Sequence, residues 1–222
     1  MSAALPPGTA APWQPAGTVY GVLLNFEHEH TLWRPRMLEA PYQAPPQAPV
    51  LYIKTANTWN PDGGQVTVPA DAPGVEAGAT LGLVRDAQGQ WAAALLNDFS
   101  LPHDSYFRPP VKYRCRDGFL GTPAALRPLG SLAELATLSL SVHVNGELRQ
   151  SVDLGRLRRD AATLWADVND FMTLRPGDVL MLGCDVAADG GRPLLRPGDT
   201  VELSAPGFAP LRHHLSAEEA RA

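Results

Sequence analysis

Cysteine is almost missing. Two residues in 222, Cys115 and Cys184, are too few for a disulfide-built scaffold, and neither lies in a Cys-x-x-Cys pairing. A reducing compartment fits, and the cytoplasm is the expected location. Charge is scarce as well: Asp, Glu, Lys and Arg make up 18% of the chain and leave a net charge of −5, with the basic residues gathered into no tract. Such a chain has no sequence-independent grip on a phosphate backbone, so nucleic acid is excluded as an expected partner. No apolar run approaches the ~20 residues that span a bilayer. The opening MSAALPPGTAAPWQPAG has neither a basic start nor an unbroken apolar segment, so neither a secretory signal nor a membrane anchor is expected. With 45% hydrophobic residues, the chain still carries enough apolar material for a real core in one domain.

Proline and glycine, 22 and 20 copies, punctuate what is there. Residues 1–17 hold little to bury except Trp13 and read as a loose Pro/Ala-rich arm, with the ordered domain running from 18 to 222. TVYGVLLN (18–25), PVLYIK (49–54), QVTVP (65–69) and ATLGLVR (79–85) read as strands, whereas WAAALLNDF (91–99) fits either a strand or a helical turn. TLSLSVHV and ELRQSVDL flank Asn145-Gly146, a pair that tolerates the positive φ of a type I′ turn, and predict a hairpin. Between 153 and 173, Leu154, Leu157, Ala161, Leu164, Val168 and Phe171 recur at three- and four-residue intervals and predict one main packed helix. LRPGDVLML (174–182) is echoed by LRPGDTVEL (195–203), which suggests two similar strand entries into one sheet. The sum is a mainly β, α+β architecture.

The blocks LLNFEHEH, LYIKTANT, ATLGLV, LNDFSL, RCRDGF, SLSVHVNGELRQ and FMTLRPGDVLMLG, in that order, resemble the fumarylacetoacetate hydrolase family from residue 18 to the end. Through APYQAPPQAPVLYIK, NDFSLPHDSYFRP and CRDGF the chain is most similar to the N-terminal half, or separate N-terminal subunit, of the family's bifunctional isomerase/decarboxylases. The resemblance implies a mixed β-sandwich roll and a role in aromatic catabolism. The substrate it implies is a small dicarboxylic 2-oxo acid, chelated by a divalent cation through its carboxylate and keto oxygens.

Laid on that pattern, the family's three metal-ligand positions fall on Gly78, Thr80 and His103, none a carboxylate. The resemblance therefore implies no metal in this chain, with Mg²⁺ or Mn²⁺ expected in a competent partner, either a homologous subunit or a second copy. His103 with Asp98, Asp104 and Glu76 is the alternative metal set in the sequence. The family's histidine after the first strand falls on Glu29, and His28 and His30 beside it are the candidate acid/base groups. Candidate substrate-binding residues are Asn25, Lys54, Asn57, Arg114 and Asp117, the last two alternatively a structural pair bracing their loop. Two further readings compete with an isomerase/decarboxylase component: a non-catalytic scaffold for a competent homologue, and an acylpyruvate-type hydrolase, which needs the missing ligands.

Overall fold

A computed structural model describes residues 11–105 and 111–219. In chain order the first half forms β1 (Val19–Leu23), α1 (Glu27–Met37), β2 (Val50–Lys54), β3 (Trp59–Pro61), β4 (Gln65–Val68), β5 (Val75–Glu76), β6 (Ala79–Arg85), β7 (Trp91–Asp98) and the short α2 (Val111–Arg114). The second half adds β8 (Leu120–Thr122), β9 (Arg127–Leu129), β10 (Ser139–Val144), β11 (Glu147–Asp153), α3 (Ala161–Asn169), β12 (Val179–Met181), β13 (Leu194–Leu195), β14 (Thr200–Ser204) and β15 (Leu211–Ala217). An eight-stranded mixed sheet runs β2-β1-β12-β6-β7-β8-β3 with β9 paired to β7, and a five-stranded sheet runs β11-β10-β14-β15-β4. The short β5 and β13 pair separately.

Side-chain alternation explains which sheet is wet. In β15, Leu211, His213 and Leu215 are buried while Arg212 and His214 are exposed, so the five-stranded sheet has one face in the core and one in solvent. The eight-stranded sheet is covered on both faces, which makes β6 buried from Ala79 through Val84 and turns ATLGLV into an unbroken apolar run. Leu81, Leu83 and Leu95 meet Leu140, Val142, Val201, Leu203 and Leu215 between the sheets, with Leu164 and Val168 of α3 in the same cluster. On the opposite face Leu23, Val84, Leu96, Val179 and Met181 pack with Met37 of α1, with Trp13 and Trp33 against them.

The segment left open between strand and helical turn is a strand, β7, pairing with β6 from Ala79↔Asn97 to Arg85↔Trp91. Asn145 and Gly146 take φ of 52° and 84°, both positive as the hairpin requires. The two Pro-Gly-Asp turns are the same local device: Asp178 accepts from the Arg175 amide at 2.8 Å and Asp199 from the Arg196 amide at 2.7 Å. They do not enter one sheet, as the echo suggests. β12 lies in the eight-stranded sheet and β14 in the five-stranded one, because a four-residue turn fixes only the strand's start. Of the expected arm, residues 1–10 lie outside the described residues; the Trp13 amide donates to the Ala124 carbonyl at 3.0 Å.

The helix expected over 153–173 is the shorter α3, preceded by a 3₁₀ turn at Leu154–Arg156. Its N-cap is Asp160, whose carboxylate accepts from the Thr163 amide at 2.8 Å, a bond that lowers the Asp160 pKa. Asp160→Ala is expected to cost about 1 kcal/mol of stability in urea denaturation. A cost indistinguishable from zero would mean that Trp165 and Leu164 packing alone holds the helix start.

Candidate active site

Period-two alternation in β2 turns Tyr52 and Lys54 inward and Ile53 outward. Asp98, the last residue of β7, shares a sheet face with Ala94 and Leu96, and Arg114 ends α2. These four groups meet in the interior. Lys54 Nζ lies 2.8 Å from Asp98 Oδ1, Arg114 Nη1 lies 2.5 Å from Asp98 Oδ2, and the Tyr52 hydroxyl donates to the same Oδ2. The Arg114 guanidinium stacks over the Tyr52 ring at 4.9 Å. Lys54 also donates to the carbonyls of Phe99 at 3.2 Å, Phe119 at 2.7 Å and Arg114. The side chains of Lys54 and Asp98 are 0% exposed and that of Arg114 is 1% exposed, so the cluster is sealed from water.

Burial pushes the Asp98 pKa up, but Lys54, Arg114 and the hydrogen bonds overcome it and hold the carboxyl at about 2. Burial lowers the Lys54 pKa, and Asp98 only partly restores it. Burial also opposes charge on Arg114, yet Tyr52 and Asp98 more than offset this and raise its pKa. The fixed point of the cluster is therefore an ionised Asp98 between two cations. Cys184, 3.9 Å from Asp98 Oδ2, has its thiol pushed up to about 12 by burial and by that carboxylate, which leaves it a packed, inert group.

Beside this cluster opens a cavity of about 340 Å³, lined by Leu32, Trp33, Arg36, Glu76, His103 and Arg192 among others. Backbone pairing builds it: Leu194 pairs with Glu76, and the Ala77 amide donates to the Pro193 carbonyl at 2.9 Å, which sets Arg192 next to Glu76. Arg192 Nη2 lies 2.6 Å from Glu29 Oε1, and its Nη1 is 4.0 Å from Glu76 Oε2. Glu29 accepts the Leu24 amide on its other oxygen at 3.0 Å. Burial raises the Glu76 pKa, against the lowering effect of Arg192. His103 Nδ1 lies 2.9 Å from the Leu101 carbonyl, so that nitrogen carries the proton, and the ring stacks on Tyr113 at 4.7 Å. Burial lowers its pKa and keeps it neutral near pH 7.

The other candidates fall as follows. Arg114 pairs with Asp98 rather than with Asp117; Asp117 Oδ1 accepts from Asn57 Nδ2 at 2.6 Å on the protein surface. Asn25 is buried and braces a turn, donating to the Arg159 and Leu182 carbonyls at 3.1 and 2.9 Å. His28 is partly exposed on α1, 3.3 Å from the Val186 carbonyl, whereas His30 is buried, with a pKa lowered by burial and Arg158. Arg192 carries no signal in the sequence. Only the fold brings it to Glu29, 163 residues away in the chain.

Among the described residues, no group of three His, Cys, Asp or Glu side chains is placed to hold a metal ion. The positions implied as ligands do not fit one. A Cβ on Gly78 would lie 2.5 Å from the Asp98 carbonyl oxygen and 2.9 Å from Cys184 Sγ, leaving no room for a ligand side chain. Thr80 is fully buried in β6, with its hydroxyl turned to the Leu81 carbonyl at 3.4 Å. Asp98, whose amide donates to the Gly78 carbonyl at 2.8 Å, is committed through its side chain to Lys54 and Arg114.

A two-sheet β architecture with a polar cleft at the β5–β13 seam fits one family in particular. The chain matches the Fumarylacetoacetate (FAA) hydrolase C-terminal family over residues 18–216 and belongs to it. It is 34% identical to the 4-hydroxyphenylacetate degradation bifunctional isomerase/decarboxylase of Salmonella dublin, over 91% of this chain and 48% of that protein. The chain thus spans about half the length of the curated relatives it matches. The fold is similar to that of 5-carboxymethyl-2-hydroxymuconate delta-isomerase from Mycobacterium smegmatis, with TM-score 0.71 and 21% identity, covering 92% of this chain and 78% of that one. It is also similar to fumarylpyruvate hydrolase from Pseudomonas aeruginosa, solved with Mn²⁺ and pyruvate, with TM-score 0.70 and 17% identity over 98% and 100% of the two chains.

Proposed function

We propose that this chain is the N-terminal-type half of an isomerase/decarboxylase of 4-hydroxyphenylacetate catabolism. The activities would be 2-hydroxyhepta-2,4-diene-1,7-dioate isomerase and 5-carboxymethyl-2-oxo-hex-3-ene-1,7-dioate decarboxylase, performed in the cytoplasm together with a homologous domain that keeps its ligands. The observation that carries the reading is the 34% identity across 91% of the chain to relatives twice its length. In the competent domain, bound Mg²⁺ or Mn²⁺ supplies the electron withdrawal that a 2-oxo acid needs before a C–C bond breaks or a proton moves. In this chain the closed position at Gly78 and the engagement of Asp98 with two cations support a degenerate metal site. Lys54, Arg114 and Asp98, sealed from solvent, then hold the fold together rather than act on substrate, while Asn57 pairs with Asp117 at the surface.

Co-expression with a family member that has intact ligands tests this. The two chains are expected to copurify through an interface of roughly 1,600 Å² in total, to decarboxylate only together, and to carry metal in the partner alone. A strictly monomeric mass by light scattering, unchanged when the partner is added, argues against the reading. Copurification with no gain in decarboxylation selects the scaffold alternative instead.

A further inference from the structure

One histidine is buried between the two sheets without the partners it needs to carry a charge. His213 points inward from β15 and is 0% exposed. Its ring meets Phe99, directly after β7, edge to face at 5.4 Å. It also lies against Gly121 of β8, where a Cβ would stand 2.4 Å from its Cε1, so a residue with a side chain at 121 would displace the ring. Nε2 lies 3.2 Å from the Asn60 carbonyl of β3, and that nitrogen therefore carries the proton. Among the described residues, Nδ1 has no hydrogen-bond partner. Asn97, whose Cβ borders the same place at Gly121, offers no acceptor in exchange: its Oδ1 takes the Gly78 amide at 3.0 Å, and its Nδ2, a donor, is itself unpaired.

We propose that His213 is an acid-sensitive latch between the sheets: neutral, it closes the seam where β15 meets β3 and β8, and once protonated it makes the sheets part there first. An imidazolium in this position holds a second N–H with no acceptor, in an interior where an unpaired charge is costly. Burial accordingly lowers the His213 pKa. The charges around the ring do not rescue it. Asp62 in the β3–β4 turn favours the imidazolium, but it is exposed and its Oδ1 accepts the Arg212 amide at 2.7 Å, while His214, next on β15, opposes it. Arg212 and Glu202 pair with each other at 2.5 Å on the outer face, and Asp98 is committed to Lys54 and Arg114. The folded chain thus takes up this proton less readily than the unfolded one. The latch holds above the unfolded pKa of about 6.5 and is lost as pH falls through the lowered folded value. Its release reaches further than the ring, because Phe99 and Phe119 both give carbonyls to Lys54, at 3.2 and 2.7 Å, and opening at His213 loosens that cluster.

Two measurements on the full chain between pH 7.5 and pH 5 test this. In urea denaturation, the unfolding equilibrium constant of wild type relative to His213→Gln should rise by about 5- to 30-fold as pH falls over that range, a ceiling set by the unfolded imidazole pKa. Glutamine keeps an N–H donor and cannot titrate, and the other histidines cancel in the ratio. Native-state hydrogen exchange on wild type needs no variant and decides alone if His213→Gln fails to fold. The Gly63 amide, bonded to the Arg212 carbonyl at 2.8 Å, and the His214 amide, bonded to the Gly64 carbonyl at 3.1 Å, report the seam. The Leu182 amide, bonded to the Leu81 carbonyl at 2.9 Å, reports the large sheet. Corrected for the intrinsic pH dependence of exchange, opening at Gly63 and His214 should increase by a similar factor while Leu182 lags behind. A ratio of wild type to His213→Gln that stays flat across the range overturns the latch. So do seam amides whose opening follows that of Leu182 at every pH.

Discussion

Asp98→Ala is expected to lower Tm by about 6–20 °C. The carboxylate faces two cations that no water reaches, Lys54 at 2.8 Å and Arg114 at 2.5 Å. Breaking a buried pair leaves its partner charge uncompensated at a cost of about 3–5 kcal/mol, and in a domain of this size each kcal/mol moves Tm by about 2–4 °C. Asp98→Asn keeps the shape and isolates the charge. Its pH dependence follows from the depressed pKa, about 2 in the folded chain against about 3.9 unfolded. The folded state binds this proton less readily, so the contribution is complete above the unfolded pKa and disappears as pH falls toward 2. It amounts to about 2–3 kcal/mol at neutral pH, with about half of it gone at pH 3. The stability gap between wild type and Asp98→Asn in urea should therefore narrow between pH 7 and pH 3. A gap that stays constant over that range would mean that Asp98 matters for packing and not for charge.

The same cluster shows where sequence reasoning reaches and where it ends. That Tyr52 and Lys54 share a face follows from period two alone, and the hairpin at Asn145-Gly146 follows from which residues tolerate positive φ. Strand β7 is ambiguous in sequence because burial on both faces erases the alternation that distinguishes a strand from a helix. Helix α1 goes unannounced for the opposite reason: EHEHTLWRPRM is polar nearly throughout, buries only Glu29, His30 and Met37, and carries Pro35 inside. One signal was present, with Glu27 and Glu29 in the first turn and Arg34 and Arg36 in the last, as the helix dipole favours. Partners across the fold were not legible. Proximity in sequence paired Arg114 with Asp117 and grouped Asp98 with His103. The strand register and α2 instead carry Arg114 to Asp98, across 16 residues. Glu29 with Arg192, 163 residues apart, exists only because β5 pairs with β13.

Putting the family's ligands back is expected to fail. The triple variant Gly78→Glu, Thr80→Glu and His103→Asp restores three carboxylates in sequence, yet the space for the first is taken by backbone. The Asp98 carbonyl oxygen would stand 2.5 Å from the new Cβ. It cannot swing away cheaply, because the Asp98 amide donates to the Gly78 carbonyl at 2.8 Å and the Asp98 side chain is tied to Lys54 and Arg114. Overpacking of this kind costs about 1–3 kcal/mol, so Gly78→Ala alone should lower Tm by about 2–12 °C. The glutamate at position 80 adds a second cost, since Thr80 is fully buried and the larger, charged side chain must leave water there. The triple variant should thus melt well below Gly78→Ala and take up no stoichiometric Mn²⁺ in calorimetry. If it folds and binds one Mn²⁺ with a rise in Tm, position 78 is open after all, and the metal was lost through the three side chains alone. If Gly78→Ala melts as wild type does, the β5–β6 junction yields enough to seat a methyl group against the Asp98 carbonyl, and the barrier to a carboxylate there lies in charge rather than in space.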